Sequence, residues 1–152
     1  MNSLKSICGK SVLRMADVIF EDYTIKVKAA IDDKIDAALE EAAGELEARV
    51  KRNSRVDTGK TKNSFRHHVS VIAPGHHEAQ IGSADENAIW EEFGTGEYAL
   101  NNDGRKGGWV YMDAKGKYHF TRGKTPSRAF WKAYTALKEK IIRMIQDSLK
   151  GL

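Results

Sequence analysis

The sequence predicts an α+β fold: a long N-terminal helix, an antiparallel sheet with hairpins, a short central helix, and a C-terminal helix packed on the sheet. Three observations support this. Apolar residues recur every three to four positions over about residues 25–52 and again after Pro126, which is the period of an amphipathic helix. Apolar and polar residues alternate from Phe65 to Val71, as in a half-buried strand. The order helix, strands, short helix, hairpin, helix contains no βαβ unit, so we expect antiparallel pairing.

The length and composition are those of one soluble globular domain. The chain has 152 residues, of which 30% are charged and 41% hydrophobic. A single cysteine, Cys8, excludes an internal disulfide and favours synthesis in a reducing cytosol. No apolar run approaches the ~18 residues of a membrane span, and residues 1–14 have no continuous apolar region typical of a signal peptide. We therefore expect no membrane partner.

Residues 1–14 differ from the rest of the chain, because they show no helical or strand period and because Met15 could itself begin a chain. They are predicted to be a flexible arm or an upstream extension, with a short ordered strand as the alternative. Residues 15–152 are predicted to form the single domain.

The first predicted helix carries one apolar stripe, formed by Val27, Ile31, Ile35, Leu39, Ala42, Leu46 and Val50. We expect this stripe to pack in the core or against a neighbouring subunit, and the helix to end near Asn53. Asp57, Thr58 and Gly59 then predict a turn or a short helix, which Asp57 or Thr58 can cap through a side-chain oxygen.

Two strands and a short helix are expected next. Phe65, His67, Val69 and Val71 form one face of a strand that turns at Pro74-Gly75 and returns through Ala79 and Ile81. Ser83 to Glu86 has the capping-box pattern, a hydroxyl three residues before a carboxylate. A short helix containing Trp90 should follow it and end near Gly94.

The last third of the chain predicts a loop, a hairpin and a helix. Residues 96–108 are polar and glycine-rich, so we expect a long mobile loop. Trp109–Tyr111 and Tyr118–Phe120 flank a turn that contains Gly116. Pro126 suits the first turn of a final helix, where its missing N–H costs nothing.

Charge is segregated along the chain although the net charge is only +4. Residues 78–103 contain seven acids and no lysine or arginine, whereas residues 104–143 contain eleven lysines and arginines against two acids. Two solvated surfaces would explain this pattern. Complementary faces for head-to-tail assembly of identical subunits, or a nucleic-acid surface in the basic part, are the alternatives.

No motif supports catalysis, a cofactor or a metal. Gly-Lys-Thr occurs at 59–61 and 123–125, but Ser54 and Tyr118 stand where a phosphate-binding loop needs its first glycine. Glu91 and Glu92 are adjacent, so on a helix they diverge by about 100° instead of converging on a substrate. We expect a non-enzymatic protein with no cofactor.

Four histidines lie on the predicted hairpin: His67, His68, His76 and His77. Neutral imidazoles suit zinc, but neighbouring strand residues point to opposite faces, so each face offers too few ligands. Solvent-facing polar residues are the simpler interpretation, and no metal site is predicted.

The aromatic residues of the later hairpin, Trp109, Tyr111, Tyr118 and Phe120, are typical of a hairpin's buried face. Because lysines and arginines surround them, an aromatic and basic nucleic-acid face is the alternative.

Three segments in order carry a resemblance: Val56 to Ser64, the central Glu92-Phe93-Gly94-Thr95-Gly96, and Pro126 to Ala133. Together they resemble the gene-product-ten-like family of long-tailed bacteriophages, and residues 107–123 are similar to a hairpin insertion in one branch of that family. The resemblance covers about residues 15–150. Phe130 and Trp131 depart from the family's usual spacing after the proline, which leaves the register of the last helix open. The motif positions it implies are Asp57, Thr58, Gly59, Trp90, Glu92, Phe93, Gly94, Thr95, Gly96, Pro126 and Phe130.

The resemblance implies a virion structural protein, from a free phage or a prophage, at the head–tail junction or tail end. Such a minor tail or neck protein would be made in the host cytoplasm and complete the tail or join head to tail. It would act as a homo-oligomeric ring, commonly a hexamer, beside other neck or tail proteins, with genomic DNA passing through its lumen without sequence-specific binding. A small basic nucleic-acid-binding protein is the alternative, and a toxin-like or nuclease enzyme, supported only by the histidines, is a third.

Within the central motif we expect Phe93 to anchor the short helix on the core and Gly94 to end that helix at positive φ. Glu92 should accept hydrogen bonds from loop backbone or from a neighbouring subunit. A simple helix stop with no role in assembly is the alternative.

Overall fold

The computed structural model describes residues 12–15, 18–21 and 23–150, with side chains described from residue 23 onward. Its helices are α1 (Thr24–Asn53), α2 (Lys60–Ser64), α3 (Asn87–Phe93) and α4 (Ala129–Leu149), with one 3₁₀ turn at Gly96–Tyr98. Its strands are β1 (Val12–Met15), β2 (Val18–Glu21), β3 (Phe65–Ala73), β4 (His76–Ser83), β5 (Trp109–Met112) and β6 (Tyr118–Thr121). The strands pair as three antiparallel hairpins, β1–β2, β3–β4 and β5–β6. The predicted α+β class is confirmed, but α4 packs chiefly on α1 instead of on the sheet, and the described strands form separate hairpins instead of one sheet.

The predicted arm over residues 1–14 lies mostly outside the described residues. Its last three residues belong to β1, whose Met15 pairs with Val18 and whose Val12 pairs with Glu21. The arm over the preceding residues stays a prediction.

The core lies where α1, α4 and the base of the β3–β4 hairpin meet. Its buried members are Leu46, Val50, Phe65, Ala133 and Leu137, and Ile81, Ala88, Phe130 and Ile141 pack partly buried against them. Small residues such as Ala42 and Ala133 let the two long helices approach closely, because interaxial distance depends on the side chains at the contact.

The apolar stripe of α1 is buried only in its C-terminal half. Val50 is fully buried, whereas Val27 is 53% exposed and Ile25 is 72% exposed. The far end of the β3–β4 hairpin is similar, since Val71 and Ile72 are each more than half exposed. Apolar surface thus remains uncovered at the end of the molecule away from the core.

Two helix starts differ from prediction. The N-cap of α2 is Gly59, at φ +79°, and not Asp57 or Thr58, although the Thr58 hydroxyl accepts a hydrogen bond from the Lys60 amide at 3.4 Å. The short helix α3 begins at Asn87, later than the capping box predicts, and Glu86 makes no cap hydrogen bond. Asp85 explains this shift: its carboxylate accepts a hydrogen bond from the Thr61 hydroxyl at 2.7 Å and from the Asn87 amide at 3.3 Å. Asp85 therefore joins α3 to α2 and sets where α3 starts.

Among the described helices, none is both long enough and apolar enough to cross a membrane.

Candidate functional site

The central motif, Glu92 to Gly96, lies at the end of α3 and faces the segment 122–131 that leads into α4. Gly94 ends α3 at φ +75°, and its amide donates to the Trp90 carbonyl oxygen at 2.9 Å. A Cβ at this position would lie 2.8 Å from the Lys124 carbonyl oxygen and 2.9 Å from that of Tyr98. Glycine is therefore required for two reasons, the backbone angle and the close approach of two other backbone segments. The predicted helix stop is confirmed.

Glu92 caps the N-terminus of α4 from outside that helix. One carboxylate oxygen accepts the amide N–H of Phe130 and the other accepts that of Trp131, both at 2.9 Å. The first amides of a helix have no partner within the helix, and a negative charge there also interacts favourably with the helix dipole. The hydrogen-bond donors thus belong to the first turn of a helix and not to a loop, which corrects that expectation, and each carboxylate oxygen accepts one amide. A donor from a neighbouring subunit stays a prediction.

Pro126 is not in the first turn of the last helix, which corrects the prediction. The helix α4 begins at Ala129, three residues later. The Ser127 amide donates to the Glu91 carbonyl oxygen at 2.7 Å, and Arg128 has a left-handed φ of 54°, so the chain cannot be helical before Ala129. Phe130, the next predicted motif residue, packs partly buried against the core.

Thr95 and Gly96 continue the motif as a short stretch of paired backbone. The Thr95 amide donates to the Lys124 carbonyl oxygen, and the Lys124 amide donates to the Thr95 hydroxyl, both at 2.9 Å. A Cβ on Gly96 would lie 2.8 Å from the Trp109 ring and 2.9 Å from the Gly123 Cα. The motif therefore fastens α3, the start of α4 and the base of the β5–β6 hairpin to one another.

The segment 96–108, predicted as a long mobile loop, is held by several backbone contacts. It opens with the 3₁₀ turn Gly96–Tyr98, the Leu100 amide donates to the Phe93 carbonyl oxygen at 3.0 Å, and the Gly107 amide donates to the Glu97 carboxylate at 3.1 Å. The segment is therefore tied to the end of α3 and, through Glu97, closed on itself.

Phe93 does not anchor α3 on the core, so that prediction is wrong. Its side chain is 45% exposed, whereas Ala88 of the same helix packs against the core. A helix of seven residues at the edge of the core can bury one narrow face only. Phe93 instead lines an open groove of about 750 Å³. The exposed apolar residues of this α3 groove are Ile89, Trp90, Phe93, Leu100 and Trp131.

The β5–β6 hairpin exposes one apolar face. Residues paired across the two strands share a face, and two of the pairs, Val110 with Phe120 and Met112 with Tyr118, form the exposed one. These four side chains, which we call the hairpin face, are 58–72% exposed. On the opposite face Tyr111 stacks on His119 with ring centroids 5.5 Å apart. The expectation that Tyr111, Tyr118 and Phe120 are buried is wrong, because the described helices make few contacts with this hairpin.

Two of the four histidines on the β3–β4 hairpin face α1, and each of them lies between two carboxylates. The ring nitrogens of His67 contact Glu47 at 2.5 Å and Glu40 at 3.1 Å. Those of His77 contact Asp36 at 2.6 Å and Asp32 at 3.0 Å. The other two, His68 and His76, are exposed on the opposite side.

Both imidazoles that face α1 favour the protonated form, since only the imidazolium donates from both nitrogens. The hydrogen bond with Glu47 raises the pKa of His67, and those with Asp36 and Asp32 raise the pKa of His77. Burial opposes ionisation of Glu47, but hydrogen bonds from Lys51 and His67 outweigh it and lower the pKa of Glu47 to about 2.

The histidine clusters do not have the form of a metal site. In the part of the chain that the structure describes, no three His, Cys, Asp or Glu side chains converge as a metal would require. The carboxylates lie on opposite edges of each ring, which suits an ion-pair link and not a shared ligand. Sequence reasoning missed these acids, although Asp32, Asp36, Glu40 and Glu47 follow one helical face at spacings of four and seven.

The segregated charges partly pair within the chain. Lys124 forms an ion pair with Glu91, and Arg122 lies 3.9 Å from Glu97. Arg55, which precedes both segments, donates from its guanidinium to the Thr125 carbonyl oxygen at 2.9 Å. The nearby motif residues Asp57 and Thr58 are exposed. The acidic segment around the motif thus meets the start of the basic segment inside one subunit.

Residues 20–99, just over half of the chain, match the family model described as "Bacteriophage HK97-gp10, putative tail-component". The chain belongs to this bacteriophage family. The match includes α1, the β3–β4 hairpin and the central motif, and it stops before the β5–β6 hairpin. Searches of curated proteins and of solved structures found no match.

Proposed function

We propose that this protein is a non-enzymatic structural component of a phage or prophage virion, which completes the tail or joins head to tail as a homo-oligomeric ring. The observation that carries the proposal is membership of a phage tail-component family over residues 20–99, a range that includes the central motif. The role of Glu92 within the central motif agrees with a structural function. Glu92 engages both oxygens with backbone amides, so it is a structural acceptor and not an acid or base.

Self-association is supported by apolar surface left open in a single subunit. The α3 groove and the hairpin face each expose large aromatic side chains, including Trp90, Trp131, Tyr118 and Phe120, at half or more of their area. Contiguous exposed apolar patches of this kind mark interaction sites. A ring of identical subunits covers such surfaces on every copy at once.

The test is a deletion of the gene in the phage or prophage that encodes it, followed by electron microscopy of the lysate. We expect separated heads and tails, and joined particles when the intact gene is supplied in trans. Mass spectrometry of purified virions should detect the protein, with immunogold label at the head–tail junction or tail end. Infectious joined particles that lack the protein would contradict the proposal.

A nucleic-acid-binding function is the second candidate, and the exposed hairpin is the observation that favours it. Aromatic side chains there stand among Arg105, Lys115 and Lys117, as in surfaces that stack bases and contact phosphates. Fluorescence anisotropy with single- and double-stranded DNA at about 150 mM salt would show binding with a steep salt slope if this function holds. For a ring component we expect no measurable affinity at that salt.

A further inference from the structure

We propose that the hairpin face of one subunit docks into the α3 groove of a second copy of this chain, in a head-to-tail contact. The inference deepens the proposed function and rests on its self-association. It names the two surfaces that meet: Val110, Met112, Tyr118 and Phe120 on one copy, and the groove lined by Ile89, Trp90, Phe93, Leu100 and Trp131 on the next.

The two surfaces match in apolar character, and the groove has room for side chains of the hairpin. The groove is open and has a volume of about 750 Å³, within the range of clefts that enclose a small ligand. It can therefore take several side chains of a narrow projecting element, and the four-residue strands β5 and β6 form such an element. Tryptophan and tyrosine are among the residues that most often carry binding energy at the centre of an interface, and Trp90, Trp131 and Tyr118 are such residues here.

Charge selects a second copy as the occupant. The groove wall carries Asp85, Glu86 and Glu92 against one cation, Arg128. The hairpin and its flanks, residues 104–122, carry five lysines and arginines against Asp113. Opposite potentials around an apolar centre favour this pairing over hairpin with hairpin or groove with groove, in which like charges would meet. Because the two patches differ, the contact is heterologous and repeats from copy to copy, as a ring requires.

The central motif links the two surfaces mechanically. Phe93 and Leu100 form part of the groove. Gly96, which lies between them in the chain, packs against Trp109 at the base of the hairpin. One rigid segment therefore sets the angle between the face that a subunit presents and the groove that it offers. This gives the motif a second role in assembly, beside the direct part that Phe93 takes in the groove.

Crosslinking between singly substituted subunits tests the contact directly. In a Cys8→Ser background, Ala84→Cys places a thiol at the groove and Met112→Cys places one on the hairpin face, where both native side chains are exposed. One of the two variants is isotopically labelled so that mixed dimers can be distinguished by mass. Lys26→Cys, on the exposed start of α1, is the matched control partner for Ala84→Cys.

With a short bis-maleimide, we expect Ala84→Cys and Met112→Cys to form a mixed dimer at least about tenfold faster than the control pair, because docking raises the effective concentration of the thiols. The rate should fall as salt rises. Self-crosslinking of Met112→Cys that is fastest of all would indicate hairpin-to-hairpin pairing and overturn the proposal. Equal rates for all pairs at every concentration would overturn it as well.

A mixing experiment gives a second readout. Tyr118→Ser with Phe120→Ser removes the hairpin face of one subunit, and Trp90→Ala with Trp131→Ala removes the groove of another. Sedimentation velocity should show each variant alone as a monomer and the mixture as a 1:1 dimer that grows no further, since one intact contact remains. If the hairpin variant instead assembles like the unmodified protein, the hairpin is not in the contact.

These outcomes are separable from those of the proposed function. Protein found in virions with no preferential crosslink would refute the docking and leave the virion role standing. A strong crosslink with joined virions that lack the protein would do the reverse. Loss of DNA affinity in the Tyr118→Ser, Phe120→Ser variant, without any change in association, would assign the hairpin to nucleic acid and overturn the proposal.

Discussion

Replacement of Glu92 by alanine should destabilise the isolated subunit, whereas removal of an ordinary exposed carboxylate would have little effect on stability. The side chain accepts the amides of Phe130 and Trp131, which have no partners inside α4. Alanine removes both acceptors and the negative charge at the helix N-terminus. The start of α4 then loses one of its connections to α3, while the hydrogen bond from Ser127 to Glu91 and the buried contacts of Ala133 and Leu137 remain.

The size of the effect depends on the environment of the two amides. Hydrogen bonds to a charged acceptor contribute about 1.5–3 kcal/mol each when water cannot replace them, and loss of a helix cap costs about 0.5–2 kcal/mol. The Phe130 amide is partly buried and the Trp131 amide is exposed, so water can replace the second bond. We therefore expect a loss of about 2 kcal/mol, equivalent to about 4–8 °C in Tm for a chain of this size.

Urea denaturation followed by circular dichroism at one protein concentration measures this loss. Glu41→Ala is the matched control, because Glu41 is an exposed carboxylate in the middle of α1. Glu92→Gln should lie between, since it keeps an acceptor and loses the charge. Amide hydrogen exchange should accelerate at Phe130 and Trp131 and stay slow at Leu137. A Glu92→Ala loss no larger than that of Glu41→Ala would refute the capping role.

Three further predictions concern the motif, pH and the N-terminus. Gly96→Ala should lower the free energy of unfolding by several kcal/mol and reduce soluble protein, because the added Cβ would clash with Trp109 and the backbone has φ +61°. Gly75→Ala is the control, since its added Cβ meets open space at a similar φ of +74°. Thermal melts of both variants measure the difference. The pKa values of His67 and His77 are raised in the folded protein, so their ion pairs contribute fully to folding stability below about pH 6.5, and this contribution is lost as pH rises through the raised pKa values. The pKa of Glu47 is lowered, so its contribution to folding stability is present above about pH 4.5 and is lost as pH falls towards 2. Melts across pH should therefore peak between these limits, and His67→Gln should flatten the alkaline side; an unchanged profile would contradict the ion-pair links. A chain that begins at Met15 should keep its Tm within a few degrees; a larger drop would show that the preceding residues stabilise the domain.

Local patterns predicted most of the elements. The apolar repeat of α1, the alternation after Phe65 and the glycine turn at Gly116 each depend on neighbours within a few residues, and each produced the expected element. Gly94 was predictable for the same reason, because a helix stop at positive φ is a local requirement. Short-range physics therefore determined the helices and hairpins, and their boundaries to within a few residues.

The features that the sequence did not predict all depend on distant residues. Pro126 has the local character of a helix start, but the hydrogen bond from Ser127 to the carbonyl of Glu91 delays α4 by three residues. Glu92 caps a helix 38 positions later along the chain, and no local pattern encodes such a cap. The exposure of Tyr118 and Phe120 depends on whether another element packs against their hairpin, which alternation alone cannot show.

The anchoring of the β5–β6 hairpin makes it an exchangeable part of the molecule. Both of its ends meet the same short segment: Gly123 packs against Thr95 and Gly96 below the second strand, and Trp109 contacts Gly96 at the start of the first. The buried core lies elsewhere, around Val50 and Leu137. A hairpin of different sequence, grafted between Trp109 and Gly123 so that both anchors are kept, should have little effect on folding. Recognition could thus diverge between relatives while the body, including the family-matched residues 20–99, keeps its architecture.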